Sequence, residues 1–358
     1  MRNNLFNNLN QVLSSNNRVS SVDVWRGLAI ISVVLFHFNN TLPYGSLGVD
    51  LFFVISGLLV GGILTKPFLN GEKIGFFNFF VRRGFKIWPS YYTFIILGTI
   101  IALLTYNSQN SSQIIPFTDF KRYLLFYQNY TGLPYHWSFD HVWSLCVEEH
   151  FYILLPLMFI VLKLIKANWK GLLVSLLILI MLGFMFKILM LYFTNGKDTY
   201  SATHNRIDAL AWGVLLNLII FQFSSSIKKF KNIFLVFITG LLGFIASIAL
   251  DVYSDSIFYH KVVLHSIIPF FFFLMILGTY YYDFSKLKPL RVLGYYSYNW
   301  YLWHPVFVVI ITQNIGAGFY GLIIYLLTSF IVGVFFTLII EEPALRMRKL
   351  YLTMYKRH

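Results

Sequence analysis

Ten apolar stretches follow one another along the chain, each close to the length of about 20 residues that a helix needs to cross a bilayer. They cover roughly residues 22–40, 46–65, 87–106, 142–165, 171–193, 206–223, 232–250, 262–282, 292–312 and 319–340. Because lipid offers no partners to backbone polar groups, such a stretch must close its hydrogen bonds within one helix. The sequence therefore predicts an all-α polytopic membrane protein with about ten transmembrane helices.

The composition excludes a soluble globular domain. Of the 358 residues, 58% are hydrophobic and 12% are charged, whereas a soluble domain carries about 25% charged residues. The single cysteine, Cys146, excludes a disulfide framework, a cysteine-rich zinc site and an iron–sulfur cluster. We expect Cys146 to be a small packing residue, and we expect neither a metal nor a permanently bound cofactor.

The basic residues are unevenly distributed between the two sides of the predicted bundle. Alternate polar segments hold 21 of the 28 lysines and arginines, and the opposite loops hold five. The basic segments are 1–21, 66–86, 163–170, 224–232, 283–291 and 341–358. Since basic segments stay in the cytoplasm, we expect both termini to be cytoplasmic. The net charge of +14 then reflects topology and lipid headgroups, and nucleic acid is not an expected partner.

The stretches divide the chain into a polar cytoplasmic tail at 1–21, a transmembrane domain at 22–346 and a basic cytoplasmic tail at 347–358. No appended soluble domain is expected, because the longest polar loop, 107–141, is too short to form one. Four aromatic residues of that loop either face a substrate or form an interfacial aromatic belt. They are Tyr130, Tyr135, Trp137 and Phe139.

Ionisable residues inside the predicted spans are the first functional candidates, because each costs about 2.5–3.5 kcal/mol at the bilayer centre. Arg26 and His37 lie eleven residues apart in the first span, on one helical face and about 16 Å apart along the axis. Asp50 opens the second span at a depth close to that of His37. A carboxylate beside an imidazole suits a general base, and Asp50 would also favour the helix N-terminus.

Three cations precede the third span, and we call Arg82, Arg83 and Lys86 the basic cluster. Their charge suits either a phosphorylated ligand or anionic lipid headgroups. One further cation, Lys187, lies inside the fifth span about two turns from its outer end, where its side chain could snorkel, and no role is assigned to it.

Polar faces recur near the outer ends of the fourth and sixth spans. Ser144, Glu148 and Tyr152 share a face at intervals of four residues, and Trp143 precedes them. Arg206 and Asp208 begin the sixth span, where Arg206 would pair with Asp208 or Glu148. Buried ion pairs that hold helices together are the alternative interpretation of these charges.

The ninth span carries a third polar face. Ser297, Tyr301 and His304 share one side of the helix, and Tyr298 is adjacent. Pro305 is expected to bend the helix and free a carbonyl, which favours a cavity. Together, the depths of the candidates indicate a long, phosphate-headed molecule that enters from the cytoplasm and reacts near the outer face.

These residues resemble the acyltransferase 3 family of integral membrane O-acyltransferases. The resemblance covers residues 22 to 346 in the family's order. It rests on Arg26-x10-His37, Asp50-Leu-Phe-Phe-Val-Ile-Ser56-Gly57, Arg83-x-x-Lys86 before Pro89, Trp143-Ser-Leu-x-Val-Glu148-x-x-Phe-Tyr, Arg206-x-Asp208, Ser297-Tyr298-x-x-Tyr301-Leu-x-His304 and Glu342-Pro343.

The resemblance implies a multi-pass protein of the bacterial inner membrane that takes an acyl group, often acetyl, from cytoplasmic acyl-CoA. The implied acceptor is a sugar hydroxyl of lipopolysaccharide O-antigen, exopolysaccharide, peptidoglycan or a lipid-linked precursor. His37 matches the family's essential histidine, Glu148 its glutamate, and the basic cluster its donor motif. Where the family has Arg-x-x-Arg, this chain has Lys86, which keeps the charge but loses bidentate phosphate geometry.

We therefore expect His37, assisted by Asp50 or Glu148, to activate the acceptor hydroxyl. Two further groups of residues are assigned by position. Acyl-CoA binding is expected from Arg26, Arg82, Arg83, Lys86, Tyr298, Tyr301 and His304. The acceptor or oxyanion side is expected to contain Trp143, Ser144, Arg206 and Asp208.

An acyl-His37 intermediate remains an alternative mechanism. A transporter is a second interpretation, because carriers also contain intramembrane charges, and a structural membrane component is a third.

Overall fold

The computed structural model describes residues 19–104, 117–131, 139–194 and 200–355. All regular secondary structure within these ranges is helical. The α-helices are α1 (Ser20–His37), α2 (Gly48–Leu69), α3 (Phe76–Leu104), α4 (Phe117–Leu124), α5 (Trp143–Leu164), α6 (Trp169–Phe193), α7 (Ile207–Gln222), α8 (Ser224–Lys229), α9 (Ile233–Ser254), α10 (His265–Thr279), α11 (Lys288–Asn314), α12 (Phe319–Phe336) and α13 (Glu342–Tyr355). Two π-helical segments, Tyr259–Leu264 and Thr337–Glu341, lead into α10 and α13.

Seven helical segments of the described chain are long and apolar enough to cross a membrane. They are Ser20–His37, Gly45–Leu69, Asp140–Leu164, Trp169–Phe193, Ile233–Ser254, Tyr259–Thr279 and Phe319–Met354. The three other predicted stretches also form helices, but α7 has only 16 residues, and α3 and α11 carry more polar residues. The fold is thus a polytopic helical one with seven candidate spans, and ten spans stay a prediction.

Apolar side chains point outward on the peripheral helices. Met181 of α6 is 60% exposed, and Leu242 of α9 and Ile331 of α12 are each 62% exposed. Contiguous apolar surface of this kind is unfavourable in water and is expected where helices face lipid. The polar side chains of interest lie instead among α1, α2, α3, α5, α7, α10 and α11.

The basic cluster lies within helix α3 rather than ahead of it, although it still precedes the residues predicted for the third span. That span was predicted at 87–106, whereas α3 begins at Phe76. Long cationic side chains keep their stems on an apolar surface while their charges reach polar surroundings, so they do not end a helix. Phe79, one turn before the cluster, is fully buried and anchors this part of α3.

The predicted basic tail is also partly helical. Residues 347–355 continue α13, which packs on α3. Arg348 donates a hydrogen bond to the carbonyl of Arg82 at 3.3 Å, and the rings of Phe77 and Tyr351 are 6.5 Å apart. Of the predicted N-terminal tail, residues 1–18 lie outside the described ranges.

Glycines bring pairs of helices into backbone contact. A Cβ atom on Gly27 of α1 would overlap the carbonyl oxygen of Leu290 in α11. In the same way, a Cβ atom on Gly213 of α7 would overlap the carbonyl oxygen of Val54 in α2. Small residues allow this close approach between membrane helices. These contacts hold α1 against α11 and α2 against α7. They therefore determine which polar side chains of the paired helices lie at the same level of the bundle.

Candidate active site

A cavity of about 120 Å³ lies between α1, α2, α3, α5 and α11, and we call it the first cavity. It brings together many of the predicted site residues, both charged and hydroxyl-bearing. Its polar lining consists of Arg26, Ser56, Arg83, Lys86, Ser144, Glu148, Tyr152, Ser297, Tyr298 and Tyr301. Apolar side chains of α2, including Phe52 and Phe53, complete the wall. The cavity is therefore amphipathic, with its cations grouped on α1 and α3.

The cations of the first cavity differ in their partners. Lys86 forms an ion pair with the buried Glu341 and lies 5.6 Å from the ring centre of Tyr298. The guanidinium of Arg83 lies 5.6 Å from the ring centre of Tyr152, and within the described residues it has no carboxylate within salt-bridge distance. Arg83 therefore offers the less compensated positive charge to a ligand. Arg82 is exposed and does not line the cavity.

The partner of Lys86 could not be identified from the sequence motif. The motif contains Glu342, but the ion pair uses Glu341, the last residue of the preceding π-helical segment. The second carboxylate oxygen of Glu341 accepts a hydrogen bond from Asn299 at 2.8 Å. Glu342 instead accepts one from Tyr295 at 2.8 Å. The extra residue per turn of a π-helix shifts the direction of side chains, which α-helical periodicity does not predict.

The polar face predicted on the fourth span is present in α5. Glu148 accepts a hydrogen bond from Tyr152 at 2.5 Å, and the same hydroxyl lies 2.8 Å from Ser56 of α2. One turn away, the hydroxyl of Ser144 lies 2.7 Å from that of Tyr301. The three predicted residues of α5 therefore all point into the first cavity. Among the residues that the structure describes, Glu148 is the only carboxylate that lines it.

His37 lies at the C-terminal end of α1, beyond the Tyr301 end of the cavity. Its Nδ1 lies 2.8 Å from the carbonyl oxygen of Val33. A carbonyl only accepts hydrogen bonds, so Nδ1 carries the proton and Nε2 of the neutral ring has a free lone pair. The ring of His304 lies 4.9 Å from that of His37 with an interplanar angle of 71°. His37 is partly exposed, whereas His304 is fully buried.

Pro305 frees a backbone carbonyl within α11, as one part of the prediction for this residue states. It lacks the N–H that would bond the carbonyl of Tyr301 four residues earlier. His304 occupies that carbonyl instead, with its Nδ1 at 2.7 Å. Its Nε2 is buried without a hydrogen-bond partner among the described residues. The proline therefore fixes the orientation of an imidazole that touches His37.

A third imidazole, His141, was not identified from the sequence. It belongs to the 3₁₀ turn Asp140–Val142 before α5, and its ring lies 5.4 Å from that of His304. Its Nε2 lies 3.1 Å from the carbonyl of Leu302, which leaves Nδ1 with the lone pair. We call His37, His141 and His304 the histidine cluster. The sequence feature that could have identified His141 is its position one residue before the predicted span at 142–165.

Asp50 does not form the predicted pair with His37. Its carboxylate lies 3.0 Å from the guanidinium of Arg206 and 3.6 Å from Nδ1 of His265, and all three side chains are buried. Among the described residues, no carboxylate contacts His37. The close α2–α7 contact places Arg206 opposite Asp50, and two buried opposite charges stabilise each other far better than either is stabilised alone.

Arg206 and Asp208 likewise have other partners than predicted. Arg206 pairs with Asp50, and its guanidinium lies 4.1 Å from the ring centre of Tyr200 and 5.6 Å from that of Trp143. Asp208 forms a buried ion pair with Lys187. None of the predicted acceptor-side residues except Ser144 lines the first cavity. Charge pairing within the bundle therefore accounts for the geometry of Arg206 and Asp208.

Lys187 does not snorkel to an interface. Its side chain is only 3% exposed, and besides Asp208 it donates a hydrogen bond to Ser266 at 3.1 Å. Phe139 is another correction, because it is fully buried and cannot face a substrate. Tyr130 is 51% exposed, while Tyr135 and Trp137 lie outside the described residues.

The segment that follows His37 is held by a carboxylate. Tyr44 donates a hydrogen bond to Asp251 at 2.8 Å, and Nδ1 of His260 lies 2.8 Å from the same oxygen. Burial and the neighbouring Asp251 raise the pKa of Tyr44 to about 12. The phenol therefore stays protonated and keeps donating throughout the physiological pH range. Within the parts of the chain that the structure describes, no three His, Cys, Asp or Glu residues are arranged to hold a metal ion.

Candidate membrane spans around a cavity lined by cations and hydroxyls, with imidazoles packed beside it, define an integral membrane protein with a buried polar site. A sequence model of the acyltransferase domain of the acyltransferase 3 family matches residues 19–342. The chain belongs to this family.

Two named relatives extend the comparison. O-acetyltransferase OatA of Staphylococcus aureus is 28% identical over 332 residues, which cover 86% of this chain and 53% of the relative. Peptidoglycan O-acetyltransferase OatA of Listeria monocytogenes is 27% identical over 318 residues, which cover 82% of this chain and 50% of the relative. The chain thus spans about half the length of the curated relatives it matches. No solved structure matches it.

Proposed function

We propose that the chain is a membrane O-acetyltransferase that moves an acetyl group from cytoplasmic acetyl-CoA to a sugar hydroxyl of a cell-surface glycan. The carrying observation is the first cavity, which joins Arg26, Arg83 and Lys86 to Glu148 and is lined at one end by Tyr301. The ring of Tyr301 lies 5.7 Å from that of His304, which in turn packs against His37. Family membership and relatives named O-acetyltransferases support the same reaction.

The proposed topology places the basic cluster in the cytoplasm and His37 near the outer face. The asymmetry of the 28 basic residues supports this orientation and cytoplasmic termini. Under this topology α3, α7 and α11 also cross the membrane, as ten predicted stretches require, and the protein resides in the bacterial inner membrane. The donor then approaches from the α3 side, and the acceptor reaches the exposed edge of His37 from outside.

The cations of the first cavity bind the phosphates of the donor. Arg26 is held in place by Ser297, to which its guanidinium donates at 2.9 Å. Arg83 supplies a charge that has no described carboxylate within salt-bridge distance. Lys86 supplies a cation whose position Glu341 fixes. Charge-assisted hydrogen bonds of this kind are roughly twice as strong as neutral ones, which suits a donor with several phosphates. Arg82, on the exposed surface, attracts the negatively charged phosphates of the donor without lining the cavity.

His37 acts as the general base through Nε2, since Val33 holds the proton on Nδ1. Nε2 takes the proton of the sugar hydroxyl while the hydroxyl oxygen bonds to the thioester carbon. The carbon–sulfur bond of the tetrahedral intermediate then breaks, and the proton passes from Nε2 to the departing CoA sulfur. The hydroxyls of Ser144 and Tyr301 bond each other at 2.7 Å and the carbonyl of His141 at 3.1 and 2.8 Å, so one of them would exchange such a bond to donate to the oxyanion. An acyl-His37 intermediate would use the same nitrogen.

The acceptor is a sugar of a surface polymer or of its lipid-linked precursor. The Listeria relative is named for peptidoglycan, and this favours peptidoglycan over lipopolysaccharide O-antigen and exopolysaccharide. The transporter interpretation gains no specific support from the described geometry, because the buried charges outside the cavity are paired with one another.

The test is reconstitution of the purified chain in liposomes with radiolabelled acetyl-CoA and peptidoglycan or O-antigen oligosaccharides. We expect ester-linked acetyl on the sugar, detected by mass spectrometry and removed by mild base. Substrate flux across the liposome membrane without acetyl transfer would instead support a transporter.

A further inference from the structure

A second cavity, of about 290 Å³, adjoins the first one at the proposed cytoplasmic ends of α1, α2, α7 and α10. The two cavities share Arg26 and Leu59, so they are neighbouring compartments on either side of one guanidinium. No predicted site residue except Arg26 lines the second cavity. Its walls are formed by Val19, Val22, Asp23, Arg26, Leu58, Leu59, Gly62, Asn217 and Tyr280.

The second cavity combines apolar walls with uncommitted hydrogen-bonding groups. The amide of Asn217, in the otherwise apolar helix α7, makes no hydrogen bond to any described residue. The side chain of Tyr280 also has no hydrogen-bond partner among them, although its backbone carbonyl accepts from Ser21 at 3.0 Å. An amide costs free energy in an apolar helix unless something bonds it. These groups are therefore available to a ligand that is flat, largely uncharged and able to form hydrogen bonds along an edge.

The dimensions of the two compartments together indicate one extended ligand. Gly62 of α2 lines the second cavity, and Val49 of the same helix lines the first. Thirteen residues separate them, which corresponds to about 20 Å along the helix axis. Arg26 lies between the compartments and is oriented by Ser297. The order is therefore a compartment of about 290 Å³, a cation, and a smaller compartment of about 120 Å³ whose Tyr301 packs against His304.

We propose that the second cavity is the subsite for the adenine ring of the acyl-CoA donor, an inference that rests on the proposed function. Acyl-CoA has the matching order, with a nucleobase at one end, phosphates in the middle and a thioester at the other end. Asn217 pairs with the amino and ring-nitrogen edge of adenine, as an asparagine amide does with this base elsewhere. Tyr280 supplies an aromatic surface for stacking. Arg26 then holds phosphate at the junction.

The test compares two donors that differ in the adenine nucleotide alone. Acetyl-CoA carries it, and S-acetyl-4′-phosphopantetheine lacks it but keeps the thioester arm and one phosphate. Steady-state acetyl transfer is measured with both donors for the full chain in nanodiscs, for Asn217→Leu and for Tyr280→Leu. Gln222→Leu is the matched control, because Gln222 is an exposed residue of α7 that lines neither cavity.

We expect Asn217→Leu to raise the KM for acetyl-CoA about tenfold, which corresponds to the loss of one base-pairing contact. The KM for S-acetyl-4′-phosphopantetheine and kcat with either donor should stay unchanged, as should all values for Gln222→Leu. Gly62→Leu is a second variant, because a Cβ on Gly62 already lies 3.0 Å from the amide nitrogen of Asn217. It should fill the cavity and produce the same selective loss.

Three results would overturn the inference. Equal increases in the KM of both donors would mean that Asn217 supports the helix bundle rather than binding adenine. Unchanged KM values for every cavity variant would mean that lipid or another molecule occupies the cavity. A wild-type chain that uses neither donor would overturn the proposed function together with this subsite, whereas the first two results leave the proposed function intact.

Discussion

The imidazole rings of His37 and His304 lie 4.9 Å apart in an edge-to-face arrangement, with their planes at 71°. Each ring donates Nδ1–H to a backbone carbonyl of its own helix, Val33 in α1 and Tyr301 in α11. Each therefore directs an unprotonated Nε2 away from its helix. The carbonyl of Tyr301 is available only because Pro305 has no N–H. The orientation of His304, which packs against His37, thus depends on a proline-specific feature of α11.

The contact predicts that His304 positions His37, rather than binding the donor as its place in the motif indicated. His304→Ala should lower kcat about 100-fold, as small misplacements of a catalytic group do, with little change in the KM for acetyl-CoA. His304→Asn keeps a donor for the Tyr301 carbonyl and should retain more activity. Steady-state kinetics of the two variants decide the point. If the variants instead have a higher KM for acetyl-CoA at an unchanged kcat, His304 binds the donor, as the sequence motif indicated.

Lys86 is expected to limit donor affinity. Lys86→Arg keeps the ion pair with Glu341 and adds a planar group that binds phosphate bidentately, so the KM for acetyl-CoA should fall about threefold. Lys86→Met leaves the buried Glu341 without its cation and should both raise KM and lower thermal stability. Kinetics and thermal unfolding in nanodiscs test this. If the wild-type chain, Lys86→Arg and Lys86→Met all have the same KM for acetyl-CoA, the side chain at this position does not contact a phosphate of the donor.

The ion pair between Asp50 and Arg206 should be structural. Arg206→Met removes the arginine partner of the buried Asp50 carboxylate, leaves it only the more distant His265 at 3.6 Å, and should destabilise the fold by about 3–5 kcal/mol. The double variant Asp50→Leu/Arg206→Met removes both charges, and we expect it to recover most of the stability and the acetyl transfer. Thermal unfolding and transfer assays on the single and double variants provide the comparison. A double variant that is stable but inactive would show that Asp50 takes part in catalysis, as the sequence indicated.

The proposed orientation predicts which loops face the cytoplasm. Cys146 is the only cysteine of the chain and is buried, so Cys146→Ala provides a background without reactive thiols. In that background, a membrane-impermeant maleimide added to intact cells should label Ser254→Cys, at the C-terminal end of α9, and spare Ser285→Cys, before α11. Both positions are exposed. The reverse labelling pattern would invert the topology and place the basic cluster outside.

Much of the architecture follows from the sequence because lipid imposes simple rules. Spans of apolar residues identify helices, and a period of four places Ser144, Glu148 and Tyr152 on one face. Partner choice does not follow from these rules. Asp50 was expected beside His37 because both lie near the outer face, yet the direction of a side chain around the helix axis decides its partner. That direction depends on which helices pack together, and the backbone contact at Gly213 pairs α2 with α7.

Local departures from α-helical geometry account for the other differences. The π-helical segment Thr337–Glu341 directs Glu341, rather than Glu342, towards Lys86. His141 lies in a 3₁₀ turn outside every predicted span, so it was not considered among the membrane-embedded candidates. Asn217 was not predicted as a site residue because the search of the spans was based on charged residues. Its place in a cavity is visible only in the structure.

The central claim is that Nε2 of His37 removes the proton from the acceptor hydroxyl. The most direct measurement is acetyl transfer from acetyl-CoA to a glycan oligosaccharide by His37→Ala in liposomes, together with acetyl-CoA binding to the same preparation. We predict a loss of kcat of about 10²-fold to 10⁴-fold while the donor still binds with unchanged affinity. Transfer at the wild-type rate by a variant that binds acetyl-CoA normally would contradict the claim.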